Sequence, residues 1–389
     1  MTTIDGRETI LLLTSRIGMG GAERHMITLS NLLNRDFRIV FAYLKPEEDM
    51  LGQLEQDALA EVRCLHVAKR VDMRAVRELA EMVKTHGASM IVCANAFALF
   101  YAQLARPMCR PAISVVEIFH TTKLRTLKEH LELVFYRPFF WAAHHLVFVC
   151  QEQQKYWRKR GLWARSNHMI YNGVDLRRYV PEDEEAAPAE RSRALAGAGF
   201  TSEDRIIGLC AVLRPEKAHA DLLRAVATLH AKGQKWKILF IGDGPLRESI
   251  EATARELGLA DSMVITGFQL DVRPFIAACD VIALPSVSET FSIAALEAMA
   301  MGKPMIMSDV GGAREQIRPG ENGLLFPAGD VEMFAECVAQ FWDRDFTSRL
   351  GAAARRRVQQ DFSQSSMIDR YKELFDSIIR KGRTGARVA

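Results

Sequence analysis

The sequence predicts an α/β protein made of two Rossmann-like halves, each a parallel sheet with helices on both faces. Three observations lead there. Short apolar runs alternate with helix-period patterns from residue 9 onward, the rhythm of a parallel sheet. The rhythm breaks at Pro181 to Arg193, an acidic, aperiodic stretch containing Ala and Pro, and then restarts; such composition reads as a linker. Finally, 389 residues make about two domains, because single cores stop growing well below that length. The expected division is 1–178, a linker over 179–204, and 205–364.

In the first half, Thr9 to Ser15 is an apolar strand, and Gly18-Met19-Gly20-Gly21-Ala22-Glu23 follows at once, opening a helix from Ala22 to about Asn34. Glycines between strand and helix let a ligand approach the backbone, and a helix N-terminus favours an anion. A tight turn alone is an equally good reading. The loop lacks the third glycine of Gly-x-Gly-x-x-Gly, and no acidic residue ends the second strand, Arg38 to Leu44, which argues against a dinucleotide cofactor. Further strands are expected at 62–68, 89–95, 112–119, 145–150 and 168–171, and helices at 49–60, 72–86, 97–106, 124–142 and 151–160. His120 follows the strand Ile113–Phe119 directly. That puts it at a carboxyl edge, where open α/β sheets bind ligands, although a lone histidine is more often structural.

Residues 121–178 stand apart in charge. They hold eleven Lys and Arg against four acidic residues, with Phe135, Tyr136, Phe139, Phe140, Trp141, Tyr156, Trp157 and Trp163 interleaved. Basic residues beside exposed aromatics suit an anionic membrane surface, and 123–165 is the candidate segment. The plainer reading makes the aromatics core and the charges a solvated face. No nucleic-acid-binding motif is present, so nucleic acid is not an expected partner.

In the second half, strand Ile206–Leu213 runs into Arg214-Pro215-Glu216-Lys217. Two cations beyond a strand end suit a diphosphate, though such surface cations are commonly just solvated. Strand Trp236–Ile241 leads to the turn Gly242-Asp243-Gly244-Pro245, and Met263–Ile265 leads to Thr266-Gly267-Phe268-Gln269. The run Val281 to Pro285 reads as a buried strand, followed by Ser288 to Ala300 in a helix pattern that stops at Gly302. Glu289 and Glu297 lie eight residues apart, on this reading nearly all helical, which is about 12 Å of axis. That length separates the sugar from the ribose of an extended nucleotide-sugar, so one carboxylate could hold sugar hydroxyls and the other ribose hydroxyls. The free N–H groups near Phe291 and Ser292 would then face the phosphates. Two such glutamates are otherwise ordinary on a solvated helix. Pro304–Ser308 and Asn322–Phe326 are the last strand-like runs.

Composition excludes several classes. Apolar content of 49% with 25% charged residues is ordinary for a globular protein. No run of 18 apolar residues occurs, and the polar, acidic start MTTIDGRETILLL does not read as a signal peptide. Seven scattered cysteines without a Cys-x-x-Cys pair are expected as reduced thiols in a cytoplasmic protein.

The Glu-x7-Glu stretch closely resembles the signature of retaining GT-B glycosyltransferases, in particular glycosyltransferase family 4, the bacterial group 1 enzymes. The resemblance covers almost the whole chain. It includes the Gly-Gly loop, Tyr171-Asn172-Gly173-Val174-Asp175 where the chain leaves its first domain, and Arg214-x-x-Lys217. Ser292 stands where relatives usually carry Gly, and Val212 where many place the Arg. The resemblance implies two domains facing each other across a cleft, the second holding the donor and the first offering the acceptor surface, with a final helix at about 365–389 packing back on the first. It implies retaining transfer of a hexose from a nucleoside diphosphate sugar, a UDP-sugar such as UDP-glucose, to a hydroxyl of a glycan or lipid-linked acceptor in cell-surface polysaccharide synthesis. The residues carried over to the reaction are Glu289, His120, Lys217 and Arg214. Those carried over to the donor are Gly20, Gly21, Arg214, Lys217, Gly242, Phe268, Glu289, Thr290, Phe291, Ser292, Ile293 and Glu297. Arg214, Lys217 and helix N–H groups would stabilise the leaving diphosphate. No Asp-x-Asp or His/Asp cluster offers a metal site, so no metal or other cofactor is expected. The enzyme is expected in the cytoplasm, at the inner face of the membrane if 123–165 is a membrane surface. A nucleotide-sugar epimerase and a non-catalytic nucleotide-sugar binder remain as alternatives.

Overall fold

A computed structural model describes residues 6–109, 113–121, 124, 126–180 and 199–385. The linker stretch 181–198, and Lys123 and Arg125 of the basic segment, lie outside the described residues. The chain forms two units: Met1–Asn172 with Met367–Ala389, and Gly173–Ser366.

The first unit is built on a seven-stranded sheet in the order β3-β2-β1-β4-β5-β6-β7. Its strands are β1 (Thr9–Thr14), β2 (Arg38–Tyr43), β3 (Glu61–Cys64), β4 (Met90–Ala94), β5 (Ser114–Phe119), β6 (His145–Phe148) and β7 (Ser166–Met169), all paired in parallel. The central strands are buried on both faces, so β1 reads as one apolar run, TILLLT, rather than an alternation. The helices are α1 (Gly21–Leu33), α2 (Met73–His86), α3 (Ala96–Ala105), α4 (Leu127–Ala142) and α5 (Gln151–Arg158). Asp72 caps α2 by accepting the Arg74 and Ala75 N–H groups, and Gly87 ends it with φ 61°. The C-terminal helix Gln364–Gly385 joins this unit, with Phe375 against Phe37 at 6.1 Å and Lys372 paired with Asp36 at 2.8 Å.

One expected helix is absent: 49–60 forms only two short 3₁₀ turns, Leu51–Gln53 and Gln56–Ala58. The Asn31 side chain holds that backbone, donating to Gln53 O at 2.8 Å and accepting the Glu55 N–H at 3.0 Å.

The second unit has a six-stranded parallel sheet in the order β10-β9-β8-β11-β12-β13. Its strands are β8 (Arg205–Cys210), β9 (Trp236–Ile241), β10 (Met263–Ile265), β11 (Val281–Leu284), β12 (Met305–Ser308) and β13 (Gly323–Phe326). Its helices are α6 (His219–Ala231), α7 (Arg247–Glu256), α8 (Arg273–Ala278), α9 (Ile293–Ala300), α10 (Ala313–Gln316), α11 (Val331–Gln340) and α12 (Arg344–Asp361). Gly173–Arg178 sit in this unit rather than the first. Val174 N–H donates to Phe362 O at 3.0 Å, and a Cβ on Gly173 would run into the backbone of Ser363 and Gln364.

Both sheets reverse their winding once, between β1 and β4 and between β8 and β11. Loops after neighbouring strands diverge only there, leaving a crevice at the carboxyl edge.

Candidate active site

At the β8/β11 switch point the chain brings two loops together. After β8, Arg214 precedes a 3₁₀ turn, Pro215–Lys217, and Ala218 then takes a left-handed conformation (φ 50°, ψ 45°) before α6 begins. A non-glycine residue there costs about 1 kcal/mol and marks a constrained turn. After β11, Val287 N–H donates to Glu216 O at 2.9 Å, tying the loops. The result is convergence on one carboxylate. Lys217 Nζ bonds Glu289 Oε1, and Ser286 Oγ donates to the same oxygen at 3.2 Å. Gly311 lets this loop pass, since a Cβ there would strike the Glu289 carbonyl oxygen. The expected Arg214 lies at the edge, exposed.

The reading of a helix running between the two carboxylates is corrected. Helix α9 starts only at Ile293, so Glu289, Thr290 and Phe291 precede it. Ser292 is its N-cap, its Oγ accepting the Ala295 N–H at 3.2 Å. The Ser292 N–H is not free for a phosphate either. It donates to Gln316 Oε1 at 3.3 Å while Gln316 Nε2 returns a bond to Ser292 O at 2.8 Å. The first-turn N–H groups left without an intrahelical partner lie instead near Ile293.

Glu297 sits further along α9, only 2% exposed. A buried carboxylate needs donors, and Tyr179 OH supplies one to Oε1 at 2.8 Å. Gly242 (φ 145°) ends β9 and bridges to Gly267, and a Cβ there would strike Ala211 O. Phe268 follows, 57% exposed. His219, the first residue of α6, is buried, with its ring edge-on to Phe240 at 5.2 Å. Burial and then the Lys217 charge lower its pKa to about 4.

In the first unit, Gly20 precedes α1, its N–H bonded to Gly18 O at 2.9 Å. A Cβ on Gly20 would press on the Glu23 carboxylate, whereas one on Gly21 would enter open space. One turn along α1, buried His25 bonds Tyr371 OH at 3.1 Å and meets the His120 ring edge-on at 4.9 Å. Burial lowers the His120 pKa to about 4; burial and then His120 lower that of His25. Both imidazoles are therefore neutral at neutral pH. At the same edge Asn95 holds a strained φ of 116°, its N–H bonded to Glu117 Oε1 at 3.0 Å and its Nδ2 to Ser15 Oγ at 3.1 Å. Burial raises the Glu117 pKa well above the usual carboxyl range.

Sequence reasoning missed Tyr179, Ser286, Gln316, His25, Asn95 and Glu117. Only Asn95 carried a local signal, an Asn between an apolar run and a helix. The exposed-aromatic reading of 135–163 is corrected in part: Phe140 and Trp157 are core, and Tyr136, Phe139 and Tyr156 pack against it, whereas Phe135, Trp141 and Trp163 are exposed. Among the described residues no group of three His, Cys, Asp or Glu is placed to hold a metal ion, and no helix is long and apolar enough to cross a membrane.

Comparison with known proteins adds the following. Residues 19–178 match the family model described as Glycosyltransferase Family 4, and residues 204–344 the one described as Glycosyl transferases group 1. EpsD of Bacillus subtilis, provisionally assigned as a glycosyltransferase, is 26% identical over 79% of this chain and 81% of its own. LpsE of Rhizobium meliloti, a lipopolysaccharide core biosynthesis glycosyltransferase, is 32% identical over 41% of this chain and 46% of its own. Among solved structures, Anabaena HepE in complex with UDP aligns with TM-score 0.83 at 22% identity, covering 95% of this chain and all of that one. HepE has also been solved with UDP-glucose. At that identity the likeness is one of fold.

Proposed function

We propose, for a chain that belongs to glycosyltransferase family 4 and has the GT-B fold, that it moves a hexose from a UDP-sugar such as UDP-glucose to a hydroxyl of a glycan or lipid-linked acceptor, with retention at the anomeric carbon. The observation that carries this is the meeting of Lys217, Glu289 and Ser286 at the switch point of the second sheet. As the bond to the diphosphate breaks, positive charge grows on the anomeric carbon and negative charge on the leaving oxygens. Lys217 and Arg214 are cations suited to that negative charge. Glu289, oriented through one oxygen by Lys217 and Ser286, would bond sugar hydroxyls with the other. Glu297 would take the ribose hydroxyls, Gly242 and Phe268 the nucleoside, and Thr290 with the first-turn N–H groups near Ile293 the diphosphate. Gly20, Gly21 and His120, from the first unit, are assigned donor contacts as well. The UDP and UDP-glucose complexes of HepE support the donor class. LpsE, named for lipopolysaccharide core biosynthesis, supports a cell-surface acceptor. We place the enzyme in the cytoplasm, attached to the inner face of the membrane through the basic segment 123–165.

The test is transfer from labelled UDP-sugars to candidate acceptors, with product analysis separating transfer from epimerisation and from binding without turnover. Lys217→Ala should lower turnover at least about tenfold, roughly 1.4 kcal/mol of transition-state stabilisation. Glu289→Ala should lower it further. A folded Glu289→Ala variant with full activity removes that residue from the site.

A further inference from the structure

Away from the switch points, the first unit carries a cavity of about 600 Å³ between the end of α3 and the second half of α4. Pro107, Cys109, Pro138, Phe139 and Ala142 make its walls largely apolar, and Arg106 stands at it. The cavity continues a surface stripe. On α4, Leu127, Leu131 and Val134 are 77%, 63% and 61% exposed, and Phe135 is also exposed. With Pro138 and Ala142 they recur at helical spacing along one face. In the last turn of α4, exposed Trp141 stacks on exposed Trp163 at 5.9 Å. An apolar stripe this long on a soluble surface marks a contact site.

The charges at the cavity are of one sign. The Arg106 guanidinium donates to Ala142 O at 3.3 Å and has no carboxylate partner among the described residues. Arg165 is exposed, and its backbone N–H donates to Ala143 O at 3.2 Å, one residue on from the carbonyl that Arg106 holds. Burial, then Arg106 and Arg165, lower the His144 pKa to about 4, and its Nδ1 accepts the Val115 N–H at 3.0 Å. Arg106 at the cavity and Arg165 next to it in the fold can together take an anion, and guanidinium matches phosphate in a bidentate fork. Glu129 and Glu132 lie on the N-terminal half of α4, away from the cavity end of the helix.

We propose that this cavity takes the phosphate headgroup of an anionic membrane lipid between Arg106 and Arg165, with an acyl chain along the cavity wall and α4 stripe. The proposal rests on the membrane attachment put forward above and gives it a specific binding site. An apolar groove with a dicationic end fits an amphiphilic anion. A free phosphate would leave the stripe uncovered, and a second copy of this chain would bring the same positive charges into opposition.

The experiment uses the full chain with vesicles of phosphatidylcholine alone or mixed with phosphatidylglycerol, and with monomeric dihexanoyl phosphatidylglycerol. The expected result is binding that requires phosphatidylglycerol, falls as salt rises, and weakens at least about tenfold in Arg106→Gln/Arg165→Gln. Arg165→Gln alone, at an exposed position, should weaken it partially, and Ala142→Phe should fill the cavity and abolish dihexanoyl lipid binding with all charges kept. Vesicle binding unchanged in the double variant overturns the cavity site while leaving basic-segment attachment standing. No binding of vesicles at low salt overturns both. Inorganic phosphate binding as tightly as the lipid makes this a phosphate site and overturns the lipid assignment. A dimer in sedimentation that Leu131→Glu converts to monomer assigns the stripe to a second copy and overturns it as well.

Discussion

Lowering the pH should destabilise the second unit through His219, which is 1% exposed and whose two ring nitrogens find no hydrogen-bond partner among the described residues. Its folded pKa of about 4 lies below the ordinary value of 6.5. Below 6.5 the unfolded chain therefore takes up a proton that the folded chain refuses, and stability falls as pH drops from 6.5 toward 4. Between about pH 7 and about pH 5 the loss from this one group comes to about 2 kcal/mol. The perturbation that isolates it is His219→Phe, which keeps an aromatic against Phe240 and removes the titration. Urea unfolding at both pH values gives the stability of each protein, and contributions from groups common to both cancel in the difference. The expected outcome is a wild type that loses about 2 kcal/mol more than the variant on acidification, with an NMR titration placing the His219 ring near 4. Equal losses in the two proteins would refute burial as the cause and put solvent at the ring.

Tyr179→Phe removes the hydroxyl from buried Glu297 and should weaken UDP-sugar binding by roughly 1–3 kcal/mol, measured by calorimetry; unchanged affinity would separate Glu297 from the ribose. Gly242→Ala forces a Cβ onto Ala211 O at φ 145° and should cost at least about 2 kcal/mol in thermal unfolding, with a smaller cost showing that the β9 turn can move. Transfer activity should persist in EDTA, because Lys217 and Arg214 are the cations assigned to the leaving diphosphate; loss of activity reversed by Mg²⁺ or Mn²⁺ would contradict that assignment.

The linear chain by itself determined two parallel sheets, because burial on both faces demands continuous apolar runs such as TILLLT, and because helix-period segments between them can only cross back over the sheet. It also determined which loops follow which strands, and so put Gly20, His120, Lys217 and Glu289 at carboxyl edges. Local periodicity reports whether a residue faces a core, which is why these features were legible. The tertiary structure alone decided what those loops meet. Lys217 and Glu289 are 72 positions apart and join only because β8 and β11 pair beside the switch point. Tyr179 reaches Glu297 from 118 positions away, and a tyrosine after Asn-Gly-Val-Asp announces nothing of it. The sequence pattern of 49–60 is helical, yet Asn31 holds its backbone in turns. The pattern through Ser288–Ala300 is equally continuous, yet Gln316 holds Ser292 and the helix begins after it. In each case the deciding hydrogen bond comes from a side chain distant in sequence, and local propensity is weaker than a buried polar group's need for a partner.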